Sequence, residues 1–344
     1  MKRALELALK NSQGARPNPS VGAVIVSGNK VIGEGFTSNY GGNHAEINAL
    51  HQIRKEDLPL LNKATLYVTL EPCSHTGKTP PCSLAITQSG ISKVVIGCQD
   101  PNPLVAGQGI ALLRASNIEV TTGVLEKKCT ETHRQFLTFI DHKRSYITLK
   151  WAESKDGFIA PSKDQQTKPG SYWLSQPLSK QWAHKLRAYS MGIVIGAETL
   201  RYDQPSLNTR IWVGEDPEIL IIGGKRSDIP SSWFNKQVSI TQFTKTPEKH
   251  SASIHQIAIK NSSETFDLLL NHCRKHQIQT LLIEGGSQVI NQFLELNLWD
   301  EAIIFKSNSN LIEGIKAPTI DQKPVRIMNS ASDQVIIHRN CAIQ

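Results

Sequence analysis

The stretch Thr65-Leu66-Tyr67-Val68-Thr69-Leu70-Glu71-Pro72-Cys73 reads as a β-branched, apolar strand that runs into a Pro-Cys pair. Upstream stands His44-Ala45-Glu46, and downstream Pro81-Cys82. Together they supply one imidazole, two thiolates and a spare carboxylate. That is the ligand set of a catalytic zinc. Three protein ligands leave the fourth position open for water, which the metal activates near neutral pH. Each piece alone is commonplace: His44 reads as a helix-capping or core histidine, and Cys73 and Cys82 as buried thiols. Their order along the chain, with a strand leading into Cys73, selects the metal site.

The local pattern supports that placement. His44–Lys55 reads as a helix with Ala45, Ile47, Ala49, Leu50 and Ile53 as its apolar positions, which sets His44 and Glu46 in its first turn. Pro81 suits the first position of a second helix and Gly90 its end. Cys82 then lies where the helix dipole favours a thiolate. Glu46 is not needed as a ligand. It is left to carry protons, as the Glu of H-x-E…P-C zinc deaminases does.

The chain has 344 residues, a length that suggests two domains. No run of 18 apolar residues occurs, so no transmembrane helix is expected. The start, Met1-Lys2-Arg3 with Glu6 and Lys10 following, reads as an amphipathic helix rather than a signal peptide, and a cytoplasmic protein is expected. Six cysteines in a chain this long make no disulfide framework. With two claimed by zinc, Cys98, Cys129, Cys273 and Cys341 read as structural thiols. The net charge of +8, from 38 basic and 30 acidic side chains, favours anionic partners in general. No Lys/Arg block singles out nucleic acid, and a phosphorylated small molecule is served equally well.

The first 140 residues alternate strand and helix. Lys2–Lys10 is a helix. Val21–Ser27 and Val31–Gly35 are strands joined by Gly28-Asn29. After the two ligand-bearing helices and the Thr65–Leu70 strand come a strand at Lys93–Gly97, helices at Gly107–Ala115 and Leu125–Phe139, and a short strand at Ile118–Thr121. This predicts a layered α/β fold with a mixed sheet. A fresh start falls within about five residues of Arg144. Beyond it, Tyr146–Trp151, Met191–Gly196, Ile219–Ile222 and Thr280–Ile283 read as strands, Gln176–Tyr189 and Gln288–Leu296 as helices, and Ser162–Ser171 as a polar loop. No internal repeat and no low-complexity segment is present.

This second half has no His/Cys cluster. Its strand-to-glycine turns, Ile283-Glu284-Gly285-Gly286-Ser287 and Ile222-Gly223-Gly224, suit either phosphate binding at a helix start or an ordinary βα connection. Neither is a G-x-G-x-x-G fingerprint. Ser154, Asp156, Thr199, Asp203, Arg187 and Arg210 fall at element ends, where open α/β sheets collect ligands. The two arginines suit either a bidentate phosphate clamp or a solvated surface.

Asn18-Pro19-Ser20-Val21-Gly22-Ala23-Val24, His44-Ala45-Glu46, the run Glu71-Pro72-Cys73-Ser74-His75-Thr76-Gly77-Lys78-Thr79-Pro80-Pro81-Cys82 and Asp100-Pro101-Asn102-Pro103 resemble the bifunctional riboflavin-biosynthesis pyrimidine deaminase/reductases. The eight-residue insertion between the cysteines is the strongest discriminator, since most zinc nucleoside and tRNA deaminases place two residues there. In the second half, Lys150-Trp151-Ala152-Glu153-Ser154-Lys155-Asp156-Gly157, Ser171-Tyr172-Trp173, Leu186-Arg187-Ala188, Gly196–Arg210 and Glu284-Gly285-Gly286 fall in family order.

The resemblance implies a cytidine-deaminase-like three-layer α/β/α domain over residues 1–144 and a dihydrofolate-reductase-like α/β domain over residues 145–344. It implies hydrolytic deamination of 2,5-diamino-6-(5-phosphoribosylamino)pyrimidin-4(3H)-one, then reduction of the ribosyl side chain to ribityl. It implies Zn2+ on His44, Cys73 and Cys82, with Glu46 as the catalytic acid/base. Asn18, His75, Lys78, Asp100 and Asn102 would line the deaminase pocket. In the reductase, Ser171, Arg187, Leu207, Arg210 and Glu284 would meet substrate. Glu153, Trp173, Thr199, Asp203, Gly224, Gly286, Ser287 and Gln288 would meet NADPH. A homo-oligomer is the family's habit.

The chain also departs from the family pattern. Ile304–Gly314 is polar where an apolar Pro-Lys-Leu-Leu-Gly-like segment is usual. Gly223-Gly224 stands for an Asp-Ser pair, and Glu153 for a small residue. Two other readings compete. One is a zinc deaminase acting on a nucleic-acid base, its second half a binding module. It lacks the interleaved aromatic and basic residues that base stacking needs. The other is a structural zinc protein, which would close its site with a fourth protein ligand.

Overall fold

β-branched and apolar runs separated by turns set up the first sheet. The elements, in a computed structural model, are α1 (Lys2–Ala8), β1 (Gly22–Ser27), β2 (Lys30–Phe36), α2 (Ala45–His51), β3 (Ala64–Leu70), α3 (Cys82–Ser89), β4 (Lys93–Cys98), α4 (Gln108–Ala115), β5 (Glu119–Thr121) and α5 (Glu126–Asp141). The structure describes residues 1–77, 80–102, 105–162, 174–233, 238–248 and 254–340. The chain divides into two units, Met1–Lys143 and Arg144–Gln344.

In the first unit the strand order is β2-β1-β3-β4-β5. β1 pairs antiparallel with β2 and β3, while β3, β4 and β5 run parallel. The sheet is therefore mixed, as alternation predicts. Its two faces are both covered. Ala23 and Ile25 join the core that holds Ala45 and Ala49 of α2, whereas Val24 packs with Ala4 and Leu7 of α1. The parallel pairing matters for function: β3 and β4 end side by side, with Leu70 opposite Cys98. Residues just past those ends, Cys73 and Asp100, start from one edge of the sheet.

Two local expectations need correction. The helix that begins at His44 stops at His51 rather than Lys55. A 3₁₀ stretch over Lys55–Lys63 follows, with Pro59 inside it. The Gln52 N–H closes α2 on the Asn48 carbonyl and Arg54 turns to extended backbone (φ −72°, ψ 152°), so the apolar spacing of Ile53 does not prolong α2. Pro81 is the N-cap of α3, one position ahead of the expected one. The Ser83 N–H, one of the first donors of α3, bonds the Cys73 carbonyl at 3.1 Å, which ties the start of the helix to Cys73.

The second unit contains β6 (Tyr146–Glu153), β7 (Phe158–Ala160), α6 (Pro177–Ala188), β8 (Gly192–Gly196), α7 (Ala197–Asp203), β9 (Glu218–Ile222), β10 (Ile240–Thr244), β11 (His255–Ala258), α8 (Thr265–Lys275), β12 (Thr280–Ile283), α9 (Ser287–Glu295), β13 (Glu301–Lys306), β14 (Ile315–Lys316), β15 (Arg326–Ser330) and β16 (Asp333–Arg339). Nine strands form one sheet in the order β11-β10-β9-β8-β12-β6-β13-β16-β15. The run from β11 to β13 is parallel, and β16 and β15 close it antiparallel. Because the parallel strands point one way, Glu153, Gly196, Glu284 and Lys306 all gather at their carboxyl ends. That is where open α/β sheets bind ligands. Strands β8 and β12 are buried at every position, which explains why they read as unbroken apolar runs. Most of the polar loop expected over Ser162–Ser171 lies outside the described residues.

Candidate active site

In the first unit, His44 caps α2 with extended backbone, which frees its ring from the helix. Cys82 opens α3 and is fully buried. Cys73 follows β3. The His44 Nδ1 lies 3.5 Å from Cys73 Sγ and 3.2 Å from Cys82 Sγ. Two bonds of about 2.0 Å to nitrogen and 2.3 Å to sulfur, opened to a tetrahedral angle, separate such atoms by about 3.5 Å. The three groups thus fit Zn2+. Among the described residues they are the one set of three metal-ligating side chains with all ligand atoms within 4.8 Å. His75 is exposed and lies outside that set, so three protein ligands leave one position open. The Cys82 N–H also reaches Cys73 Sγ at 3.3 Å, and the Ser83 hydroxyl holds the Cys73 carbonyl at 3.0 Å.

Electrostatics follow from burial at a shared site. Hydrogen bonding to Cys82 and His44 holds the Cys73 thiol well below its ordinary value, and the same pairing drives Cys82 up. The Cys73 contact raises His44. Glu46, 3 % exposed in the first turn of α2, is pushed up to about 7 by burial and by the neighbouring Cys73. A carboxyl near 7 both takes and returns a proton at neutral pH.

The deaminase-pocket residues expected from sequence divide into three groups. Asp100 is buried, raised to about 6 by that burial, and accepts the Asn102 N–H at 2.9 Å. Asn18 precedes β1, whose Gly22 N–H bonds Thr69 Oγ1 of β3 at 3.2 Å; it therefore enters at the sheet edge where β3 ends. His75 is exposed but close enough to Asp100 to favour its charge. Lys78, and Ser171 and Trp173 of the second unit, lie outside the described residues. Glu71 was missed. It is 4 % exposed and accepts three backbone N–H bonds, from Asp100, Gly107 and Ile110.

In the second unit, Arg187 of α6 and Glu284 beyond β12 form a two-pronged pair. Nε donates to Oε1 at 2.8 Å and Nη2 to Oε2 at 2.7 Å. Burial would raise Glu284, but the charges of Arg187 and Lys150 prevail and hold it at about 2. Lys150 Nζ lies 3.9 Å from Glu284, and burial lowers its own pKa. Arg187 Nη1 donates to the Asn208 carbonyl at 3.2 Å, and Arg210 Nη1 to Asn208 Oδ1 at 2.7 Å. Leu207 is buried with φ 51°. Arg187, Leu207, Arg210 and Glu284 thus converge through Asn208, which sequence reading did not single out. The bidentate face of Arg187 is taken by Glu284, so a phosphate clamp by both arginines is not the arrangement found. Arg210 is exposed beside an open cleft of about 760 Å³.

At the carboxyl ends of β8 and β12, Thr199 of α7 faces Gly286, the N-cap of α9. A Cβ at Gly286 would lie 3.0 Å from Thr199 Oγ1, and its φ is 42°. Ser287 and Gln288 open α9, and no side chain caps that end. An open glycine turn at a helix start fits a dinucleotide phosphate. Gly224 follows β9 beside Ala197. Asp203 ends α7 and is raised to about 6 by burial. Glu153 behaves differently: its carboxylate accepts Trp151 Nε1 at 3.0 Å and pairs with Lys306 at 3.3 Å. Its carbonyl also accepts the Ser307 N–H at 2.8 Å.

The cytidine and deoxycytidylate deaminase zinc-binding region matches residues 1–98, and the RibD C-terminal domain matches residues 145–309. The riboflavin biosynthesis protein RibD of Aquifex aeolicus is 35% identical over 322 residues, covering 92% of this chain and 88% of that protein. The chain belongs to the RibD family. Among solved structures, a diaminohydroxyphosphoribosylaminopyrimidine deaminase/5-amino-6-(5-phosphoribosylamino)uracil reductase from Thermotoga maritima superposes with TM-score 0.86 at 33% identity, covering 99% of this chain and 97% of that one. Acinetobacter baumannii RibD gives 0.85 at 30%, covering 98% and 96%. The chain is therefore a bifunctional enzyme of riboflavin biosynthesis, a deaminase joined to a reductase. Its cofactors are Zn2+, for which the His/Cys/Cys cluster is built, and NADPH. No helix among the described residues is long and apolar enough to cross a membrane.

Proposed function

We propose that residues 1–144 deaminate 2,5-diamino-6-(5-phosphoribosylamino)pyrimidin-4(3H)-one and that residues 145–344 reduce the ribosyl chain of the product, 5-amino-6-(5-phosphoribosylamino)uracil, to ribityl. The observation that carries the reading is the three-ligand cluster with buried Glu46 beside it. When bound by His44, Cys73 and Cys82, Zn2+ supplies a Lewis acid that makes water nucleophilic near neutral pH. Glu46 takes a proton from the attacking water at its carboxylate. It returns that proton to the departing amino group, so that the ring carbon gains oxygen as ammonia leaves. Asn18, His75, Lys78, Asp100 and Asn102 orient the pyrimidine and its phosphoribosyl group.

In the second unit bound NADPH would supply a hydride to the sugar carbon attached to the pyrimidine's exocyclic nitrogen. That carbon keeps its bond to nitrogen and loses its bond to the sugar-ring oxygen, which takes a proton, so the ring opens to ribityl. Thr199, Asp203, Gly286, Ser287 and Gln288, with Gly224, Trp173 and the Glu153 backbone, hold the dinucleotide. Arg210, with Ser171, Leu207 and the Arg187–Glu284 pair, aligns the ribose and excludes water. We assign the protein a cytoplasmic location and a homo-oligomeric state, with a phosphoribosylated pyrimidine rather than nucleic acid as partner.

The test is direct. Purified protein given the diaminopyrimidine ribotide should release ammonia and then consume NADPH, and excess single-stranded DNA should not compete. Glu46→Gln should keep one zinc per chain while deamination falls at least about 100-fold, the scale of a lost general acid/base. Undiminished deamination in that variant would remove Glu46 from the mechanism.

A further inference from the structure

Glu71 is buried, carries a carboxylate, and has neither a metal nor a substrate role in the reading above. Its side chain is nonetheless fully engaged. Oε2 accepts the N–H groups of Asp100 at 3.4 Å and Gly107 at 3.1 Å, and Oε1 accepts that of Ile110 at 3.3 Å. Its own N–H donates to the Cys98 carbonyl at 3.0 Å. Gly107 is the N-cap of α4 and has no side chain with which to cap. The first N–H groups of a helix lack intrahelical partners, and a negative charge is favoured beside them. One carboxylate therefore does for α4 what the cap cannot, and the same carboxylate holds the Asp100 backbone.

That link joins two parts of the site. Two residues from Glu71 is Cys73. On the other side Asp100 Oδ1 takes the Asn102 N–H, and the Asn102 carbonyl accepts N–H bonds from Val105 and Ala106 at 2.7 and 2.8 Å. We propose that Glu71 is the positioning residue that sets Asp100 and Asn102 against the metal cluster, and so controls substrate binding by the deaminase without touching substrate. The proposal rests on the assignment of Asp100 and Asn102 to the pyrimidine pocket. Its chemistry is specific: a carboxylate only accepts, whereas the amide nitrogen of glutamine only donates and would face N–H groups.

Glu71→Gln, Asn102→Ala and the double variant test it in the full-length zinc protein. Glu71→Gln should raise KM for the diaminopyrimidine ribotide about tenfold or more, the scale of one lost hydrogen bond to a charged group. Its kcat should stay within about twofold, zinc should remain one per chain, and reductase kinetics should not change. The double variant should have the KM of Asn102→Ala alone, because Glu71 acts through that segment. A merely structural carboxylate would lower the melting temperature and leave KM unchanged. Should Glu71→Gln not retain zinc, Glu71→Asp is the variant to read, shorter by one methylene but with both acceptor oxygens. Zinc loss in both makes Glu71 a requirement of the metal site and overturns the proposal. An unchanged KM in Glu71→Gln while Asn102→Ala raises it overturns the proposal alone. An unchanged KM in Asn102→Ala overturns the pocket assignment and the proposal with it.

Discussion

Burial without a partner charge governs His133. It lies in α5, 3 % exposed, with Nε2 3.0 Å from Thr69 Oγ1, and burial lowers its pKa to about 4. The unfolded imidazole, near 6.5, binds its proton first as pH falls. The stability that the neutral ring allows is complete above pH 6.5 and is lost as pH drops toward 4, by about 3 kcal/mol. His133→Gln should flatten that acid limb, read by hydrogen exchange in peptides from α5; an unchanged limb would assign the acid sensitivity elsewhere. The opposite case is Glu284, whose charge stabilises Arg187 and Lys150, side chains only 10% and 16% exposed. Glu284→Gln leaves those cations without their counter-ion, at a cost of about 3 kcal/mol. All six tryptophans lie between Trp151 and Trp299, so tryptophan fluorescence in a denaturant titration reads that loss in the second unit alone. The zinc ligands were legible in sequence because imidazole and thiol at set spacings carry their own chemical signature. Glu71 and Asn208 were not, because their partners are backbone N–H and C=O groups or a side chain on a remote helix, which leave no mark on residue type.

Helix α4 stands against the turn that carries Cys73, and Gly109 is where they meet. A Cβ there would lie 2.1 Å from the Pro72 carbonyl oxygen. Alanine favours a helix over glycine by about 1 kcal/mol. Here the clash is with backbone, which cannot turn aside as a flexible side chain does, so it outweighs that gain. Gly109→Ala should drive α4 off Pro72-Cys73, lowering zinc per chain and deamination together while fluorescence-detected unfolding of the second unit stays unchanged. Full zinc occupancy in that variant would show that α4 can shift without disturbing Cys73. Periodicity located α4 and most of the first sheet to within a residue or two, because α4 and the strands β1 to β4 each bury apolar residues. It did not mark β7, β10, β11, β13, β14, β15 or β16. Exposed positions such as Ile327 at 57% on the edge strand β15 break the alternation that identifies a strand, and in β10, buried at every position, the polar residues Thr241, Gln242 and Thr244 interrupt the apolar run.

Across the whole chain, the metal cluster belongs to a five-stranded sheet and the Arg187–Glu284 pair to a nine-stranded one, and each sheet has its own apolar core. Among the described residues no strand is shared, so no hydrogen-bonded ladder there carries the first chemistry to the second. Two perturbations should therefore separate. Chelating zinc should abolish ammonia release but leave NADPH oxidation intact when 5-amino-6-(5-phosphoribosylamino)uracil is supplied. Arg210→Ala should do the reverse. Arg210 is exposed, and its Nη1 bond to Asn208 Oδ1 spans only two residues, so its removal costs the fold little. The loss should appear as a KM for the reductase substrate raised about tenfold or more, the scale of one charge-assisted contact to a phosphate or ribose. Deamination by the same preparation should be unchanged, measured as ammonia release with NADPH withheld. If either treatment impaired both activities alike, the two halves would be energetically coupled, and the division of the chain into two chemically independent units would have to be abandoned.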